Sequence, residues 1–147
     1  MPTMLETVQD ATKRKTIIAD CVTVIDEEVA AKGGIGGLAI KGAYKVVKGV
    51  KPGFIHEAVD GLLDDFSKQL DPLAQEARDK GKRVPEFFEA NRSRVADALL
   101  SITDGRAQRS RHAMVKSTYE KLRPSAKKNV EEAVPRVARL IDKYTSA

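Results

Sequence analysis

The chain predicts an all-α fold, a single-domain helical bundle of about six to eight helices over residues 1–147, several of them short. Three observations predict it. Apolar residues recur at helical spacing along most of the sequence, sustained two-residue alternation is missing, and glycine, proline and capping residues punctuate the pattern at helix-length intervals. The β-branched pairs Ile17-Ile18 and Val46-Val47 sit inside longer stretches of helical period, so they do not argue for strands.

The first stripe runs through Met4, Val8, Ala11, Ile18, Val22, Ile25 and Val29, broken once by Lys15. Thr3 and Glu6 have the spacing of a capping box, and a break is expected around Asp10 to Lys15. The charges of this stretch oppose the helix macrodipole, with Lys13 to Lys15 early and Asp26 to Glu28 late, so partners on neighbouring helices are expected. Lys32-Gly-Gly-Ile-Gly-Gly ends it. A short lysine-spaced helix follows over about 37–48, closed by Gly49 and the Lys51-Pro52-Gly53 turn.

Ile55, Val59, Leu62, Phe66 and Leu70 then line one face of the clearest amphipathic segment, with Pro52 suited to its first turn. Asp71-Pro72 reads as a cap and first residue of a separate helix to Lys80. Val84-Pro85 opens another carrying Phe87 and Phe88, and Ser93 is the expected cap of the next, in which Val95, Leu99 and Ile102 share a stripe. Thr103-Asp104-Gly105 is expected to interrupt that helix. Met114 to Leu122 form a helix to about Arg123, Pro124-Ser125 begins the last one, and Pro135 is expected to kink it.

Composition excludes several classes. One cysteine cannot form a disulfide scaffold within the chain, and no stretch approaches the roughly 18 uninterrupted apolar residues of a membrane span. The first ten residues lack the basic start and apolar run of a secretory signal, which leads us to expect a cytoplasmic protein. The chain is basic, with 26 Lys and Arg against 21 Asp and Glu, a net +5. That total conceals an uneven spread: residues 1–56 carry +2, residues 57–80 carry −4 and residues 81–147 carry +7.

No catalytic or metal-ligating constellation survives inspection. His56, Asp60 and Asp64 share a helix face, but a zincin needs a second histidine where Asp60 stands, and a di-iron bundle needs paired Glu-x-x-His motifs. Cys21 lies among Ile17, Ile18 and Ile25, a setting for a buried thiol and not for an activated thiolate. Gly33 to Leu38 lacks the Gly-Lys-Ser/Thr ending of a phosphate loop. No cofactor is implied.

Two basic features remain. Lys41, Lys45 and Lys48 fall at i, i+4 and i+7 in a stretch, residues 29–56, that holds no acid, the pattern of a helix lying on an anionic membrane surface or of a bundle helix with its lysines in water. Arg106, Arg109, Arg111, Lys116, Lys121, Arg123, Lys127 and Lys128 face only Asp104 and Glu120, a local +6. That stretch either binds nucleic-acid phosphates nonspecifically or is a solvated face paired with the acids of 57–80. Thr103-Asp-Gly-Arg has the makings of the turn of a helix-turn-helix, although base-reading side chains are sparse.

Three stretches, Val50-Lys-Pro-Gly-Phe-Ile with Ala58-Val-Asp-Gly-Leu-Leu-Asp-Asp-Phe, Ala96-Asp-Ala-Leu-Leu-Ser-Ile-Thr-Asp-Gly-Arg-Ala and Leu122-Arg-Pro-Ser-Ala-Lys-Lys-Asn-Val-Glu-Glu-Ala-Val-Pro, together resemble a family of small uncharacterised bacterial helical proteins. The resemblance implies a bacterial cytoplasmic helical protein and brings no activity or functional residue with it. The sequence leaves the function unknown. The leading expectation is a non-enzymatic helical scaffold or interaction protein, with a homo-oligomer or a protein as partner, and nucleic-acid binding or peripheral membrane association as alternatives.

Overall fold

Helical periodicity becomes helix almost everywhere. The computed structural model describes residues 3–145, and among them seven helices account for the fold, with no strand. They are α1 (Met4–Gln9), α2 (Ala11–Ala31), α3 (Gly34–Lys48), α4 (Phe54–Asp79), α5 (Val84–Ala90), α6 (Arg92–Gln108) and α7 (Ala113–Thr145). The Thr3 hydroxyl accepts from the Glu6 N–H at 3.0 Å, so the expected cap of the first helix is present. Asp10 explains the break after it. Its backbone is extended, and its carboxylate accepts from the Thr12 N–H at 2.9 Å, which starts α2 afresh.

Three expected boundaries are absent, the first two for a tertiary reason. Asp71 does not cap a new helix, because α4 runs on through Pro72 and the Asp71 carboxylate accepts instead from the N–H groups of Met4 at 2.7 Å and Leu5 at 3.1 Å. One helix thereby caps another across the bundle. The Thr103-Asp104-Gly105 interruption does not occur either. Thr103 bonds back to the Leu100 carbonyl, Asp104 is held by Arg123, and α6 continues to Gln108, which removes the proposed helix-turn-helix turn. The last helix starts not at Pro124 but at Ala113, and α7 continues through both Pro124 and Pro135. Nor does Ser93 cap α6, whose cap position is Asn91.

Ion pairs lace the helices together and answer the adverse charges of α2. Arg14 reaches Asp60 at 2.8 Å and Asp64 at 2.9 Å on α4, and it donates to the Val8 carbonyl at the end of α1. At the other end of α2, Glu27 and Glu28 receive Arg136 of α7 at 2.9 and 2.8 Å, while Lys32 meets Glu132 at 2.7 Å. The glycine-rich link then turns sharply, and α3 begins so close to the end of α2 that a Cβ on Gly37 would lie 2.6 Å from the Lys32 backbone.

The interior is packed unevenly. At one end the second half of α4, with α5, α6 and the C-terminal part of α7, encloses Leu73, Ala74, Phe88, Val95, Val134 and Ala138, and Phe88, Val95 and Val134 are wholly buried. Towards the other end, buried Val8, Ile17 and Leu63 form a smaller cluster. Between α2, α3, the first half of α4 and the middle of α7, inward apolar side chains stay only half-buried. α1 is pinned to the dense end through Met4 and the Asp71 carboxylate. We expect Asp71→Ala to cost about 1–3 kcal/mol, since two first-turn N–H groups lose a charged acceptor. A fall in the urea midpoint with an unchanged m-value checks this.

Candidate functional site

Half-buried walls enclose a cavity of about 540 Å³, partly open to the surface. Each wall comes from the stripe that the helical period places inward: Cys21, Val24 and Ile25 on α2, Ile40 on α3, Leu62 and Phe66 on α4, and Val130, Val137 and Leu140 on α7. Small residues help to leave the space open. Ala58, Ala126 and Ala133 stand in the wall, each with a single methyl where a leucine would take up part of the space.

Polar atoms along the wall are already engaged. Ser67 and Thr145 bond back to the Leu63 and Ile141 carbonyls, both at 2.8 Å, and the Asn129 amide donates to the Ser125 carbonyl at 3.1 Å. Tyr144 and Tyr119 turn their rings to the cavity and their hydroxyls away from it, donating to Asp20 and Asp104. Arg123 donates to the same Asp104 oxygen at 2.8 Å and to the other at 3.2 Å, and Thr103 shares the Tyr119 hydroxyl at 2.7 Å. The hydrogen bonds from Tyr144 and then Lys143 hold the Asp20 carboxyl below its ordinary value, and those from Arg123 and then Tyr119 do the same for Asp104. Burial, with the bond to Asp20 behind it, pushes the Tyr144 phenol up to about 12, so the hydroxyl stays a donor. Among the described residues no buried side-chain nitrogen or oxygen lacks a partner.

Cys21 fits this picture as the sequence suggested. Burial pushes its thiol up to about 11, so it stays protonated and offers the cavity a small apolar surface. The walls can therefore hold an apolar molecule and offer it no nucleophile and no ionised side chain. A second, polar recess of about 480 Å³ adjoins the cavity through Ile40 and Asn129, and Lys32, Ser125, Lys128 and Glu132 line it.

Apart from Lys128 in that recess, the basic residues singled out in the sequence are placed elsewhere. Arg106 reaches from α6 to Asp65 and the Gly61 carbonyl on α4, Arg123 is bound to Asp104, and Lys127 meets Asp97 at 3.1 Å. Arg109 and Arg111 lie at the α6–α7 link, both exposed. On α7, Lys116, Arg123 and Lys127 share one face while Lys121 and Lys128 lie about 120–140° round the helix, at 100° a residue. The acids of 57–80 are engaged largely by other elements: Arg14 takes Asp60 and Asp64, and Arg94 takes Glu76 at 2.8 Å. Lys41, Lys45 and Lys48 are exposed on α3.

Helical spacing in the sequence placed part of the wall on inward stripes, Ile25, Leu62 and Phe66 among them, but not Val24, Ile40 or Leu140, and it did not disclose the cavity. Amphipathic spacing shows which residues face inward; it does not show whether facing stripes meet. The three wall alanines are the one signal in the sequence, and alanine is equally at home in a tight helix contact.

The fold and the site together define an all-α bundle with an apolar, ligand-sized cavity between its helices. The chain belongs to the family of unknown function DUF6918, which it matches over residues 4–145. No curated protein and no solved structure matches it, and among the described residues no helix is long and apolar enough to cross a membrane.

Proposed function

We propose that this protein is a non-enzymatic binding protein whose partner is an apolar molecule with about the bulk of one long acyl chain, held in the cavity between α2, α3, α4 and α7. The cavity carries the reading. Its 540 Å³ lies within the roughly 300–1,000 Å³ of small-molecule sites. The chemistry of the walls points the same way: they offer almost no polar partner to water, and an apolar occupant would bury surface that water leaves unpaired.

Titration of the purified protein with a fluorescent long-chain fatty acid tests this. We expect saturable binding with one ligand per chain and, at a hundredfold excess over Kd, a gain of about 2.7 kcal/mol in stability, seen as a melting point higher by about 5–10 °C. Organic extraction of the freshly purified protein should release an apolar compound in stoichiometric amount. Absence of saturable binding together with an unmoved melting point for every chain length overturns the proposal. Nucleic-acid binding through Arg106 to Lys128 is the weaker reading, since ion pairs hold Arg106, Arg123 and Lys127 and the α7 cations divide between two faces.

A further inference from the structure

Helix α3 is apolar on two opposite faces, and the fold uses one of them. At 100° a residue, Ile40, Ala43, Tyr44 and Val47 fall on one side; all are half-buried, Ile40 in the cavity wall and Tyr44 bonded to Asp26 on α2. Ile35, Leu38 and Val46 fall on the other with Ala39 and Gly42 between them, and they are 89%, 70% and 40% exposed. A surface helix of a bundle normally carries polar residues there. No described residue covers this face.

Charge says what does. Lys41 and Lys45 border the outward face along one edge, both exposed and without an ion-pair partner among the described residues. Lys48 continues the row, 54% exposed and 3.9 Å from Asp26. Residues 29–56 contain no acid. An apolar strip flanked by a lysine row is complementary to an anionic bilayer, which offers acyl chains to the one and negative headgroups to the other. A second copy of this chain would instead set lysine row against lysine row or leave them unpaired.

We propose that α3 seats the protein on an anionic membrane surface, with Ile35, Leu38 and Val46 at the headgroup–acyl boundary and Lys41 and Lys45 against the headgroups. Because Ile40 on the opposite face belongs to the cavity wall, this seating places the cavity beside the lipid from which it is loaded, a clause that rests on the ligand reading above.

Flotation of the full chain with vesicles tests the seating. Mixed phosphatidylcholine and phosphatidylserine vesicles should carry the protein upward, pure phosphatidylcholine should carry little, and high salt should release it. Lys41→Ala with Lys45→Ala should lower partitioning about 25-fold, at roughly fivefold for each lysine. Ile35→Asp with Leu38→Asp should abolish flotation while fatty-acid binding in solution persists, since both side chains lie outside the core. Wild-type protein that stays with the soluble fraction, or a double-aspartate variant that floats as well as wild type, overturns the proposal. So does a wild-type dimer in sedimentation that the double-aspartate variant turns into a monomer, because a second copy then covers the face. Flotation without fatty-acid binding upholds the seating and removes the loading clause alone.

Discussion

Ala133→Leu stabilises the ligand-free protein by about 1–2 kcal/mol, and Ala138→Leu, one and a half turns further along the same helix, destabilises it by about 1–3 kcal/mol. The two alanines carry the same side chain on α7 and differ in what lies opposite. Ala133 stands in the cavity wall, half-buried because nothing fills the space before it. Three carbons added there gain about 0.8 kcal/mol each and give back roughly 0.5–1 kcal/mol of side-chain entropy. Ala138 is 0% exposed in the dense end, where an added side chain must displace its neighbours. Urea midpoints at constant m-value read both changes. The same Ala133→Leu protein should bind a long fatty acid at least tenfold more weakly, so stability and affinity move in opposite directions. Two variants destabilised alike would mean that the walls have closed in solution, and the cavity would lose its standing as a site.

Local signals and tertiary ones divide what the sequence could disclose. The stripes of Met4 to Val29 and of Ile55 to Leu70 are set by residue type and spacing alone, and both became helix. Glycine at 33–34 and at 49 marks the ends of α2 and α3 where expected, and Gly34 and Gly53 take the left-handed backbone, φ +70° and +73°, in the links that start α3 and α4. Asp71-Pro72, Thr103-Asp104-Gly105 and Pro124-Ser125 have the same local signature and did not end a helix. At the first two the polar side chain found a partner far along the chain, Asp71 on the N–H groups of α1 and Asp104 on Arg123, so it no longer competed for its own backbone. Proline within a helix costs one hydrogen bond, and at Pro72, Pro124 and Pro135 the apolar stripe on either side carries the helix through. The charge pattern was legible as composition and not as pairing. Arg14, from the first basic cluster, holds two of the middle-segment acids that the later basic stretch was expected to meet. The cavity was the least legible feature, since it is a distance between stripes, and the outward apolar face of α3 needed the same information: which of its two faces the bundle had already covered.

If the cavity takes a chain as proposed, we expect affinity for straight-chain fatty acids to rise about fourfold with each added methylene, from the 0.8 kcal/mol that burial of one CH₂ contributes, until the chain fills the cavity, and to be level beyond that length. The volume fixes where the slope ends. A cavity of about 540 Å³ is of the size that takes a single long chain. The slope and its end come from the walls alone, because the polar side chains that border the cavity are already bonded and the carboxylate stays at the opening. Alcohols and methyl esters of the same chains should therefore give parallel lines, displaced but not tilted. Ala133→Leu should bring the level region forward by about three methylenes, the bulk of the side chain it adds. Displacement of the fluorescent fatty acid by each member of the series measures all of this. The Ile35→Asp, Leu38→Asp protein is the control for position: chains held in the cavity keep the slope in that variant, whereas chains adsorbed along the outward face of α3 lose it. A line that climbs without limit through the longest chains would likewise place the ligand outside, since a cavity of limited volume runs out of apolar wall.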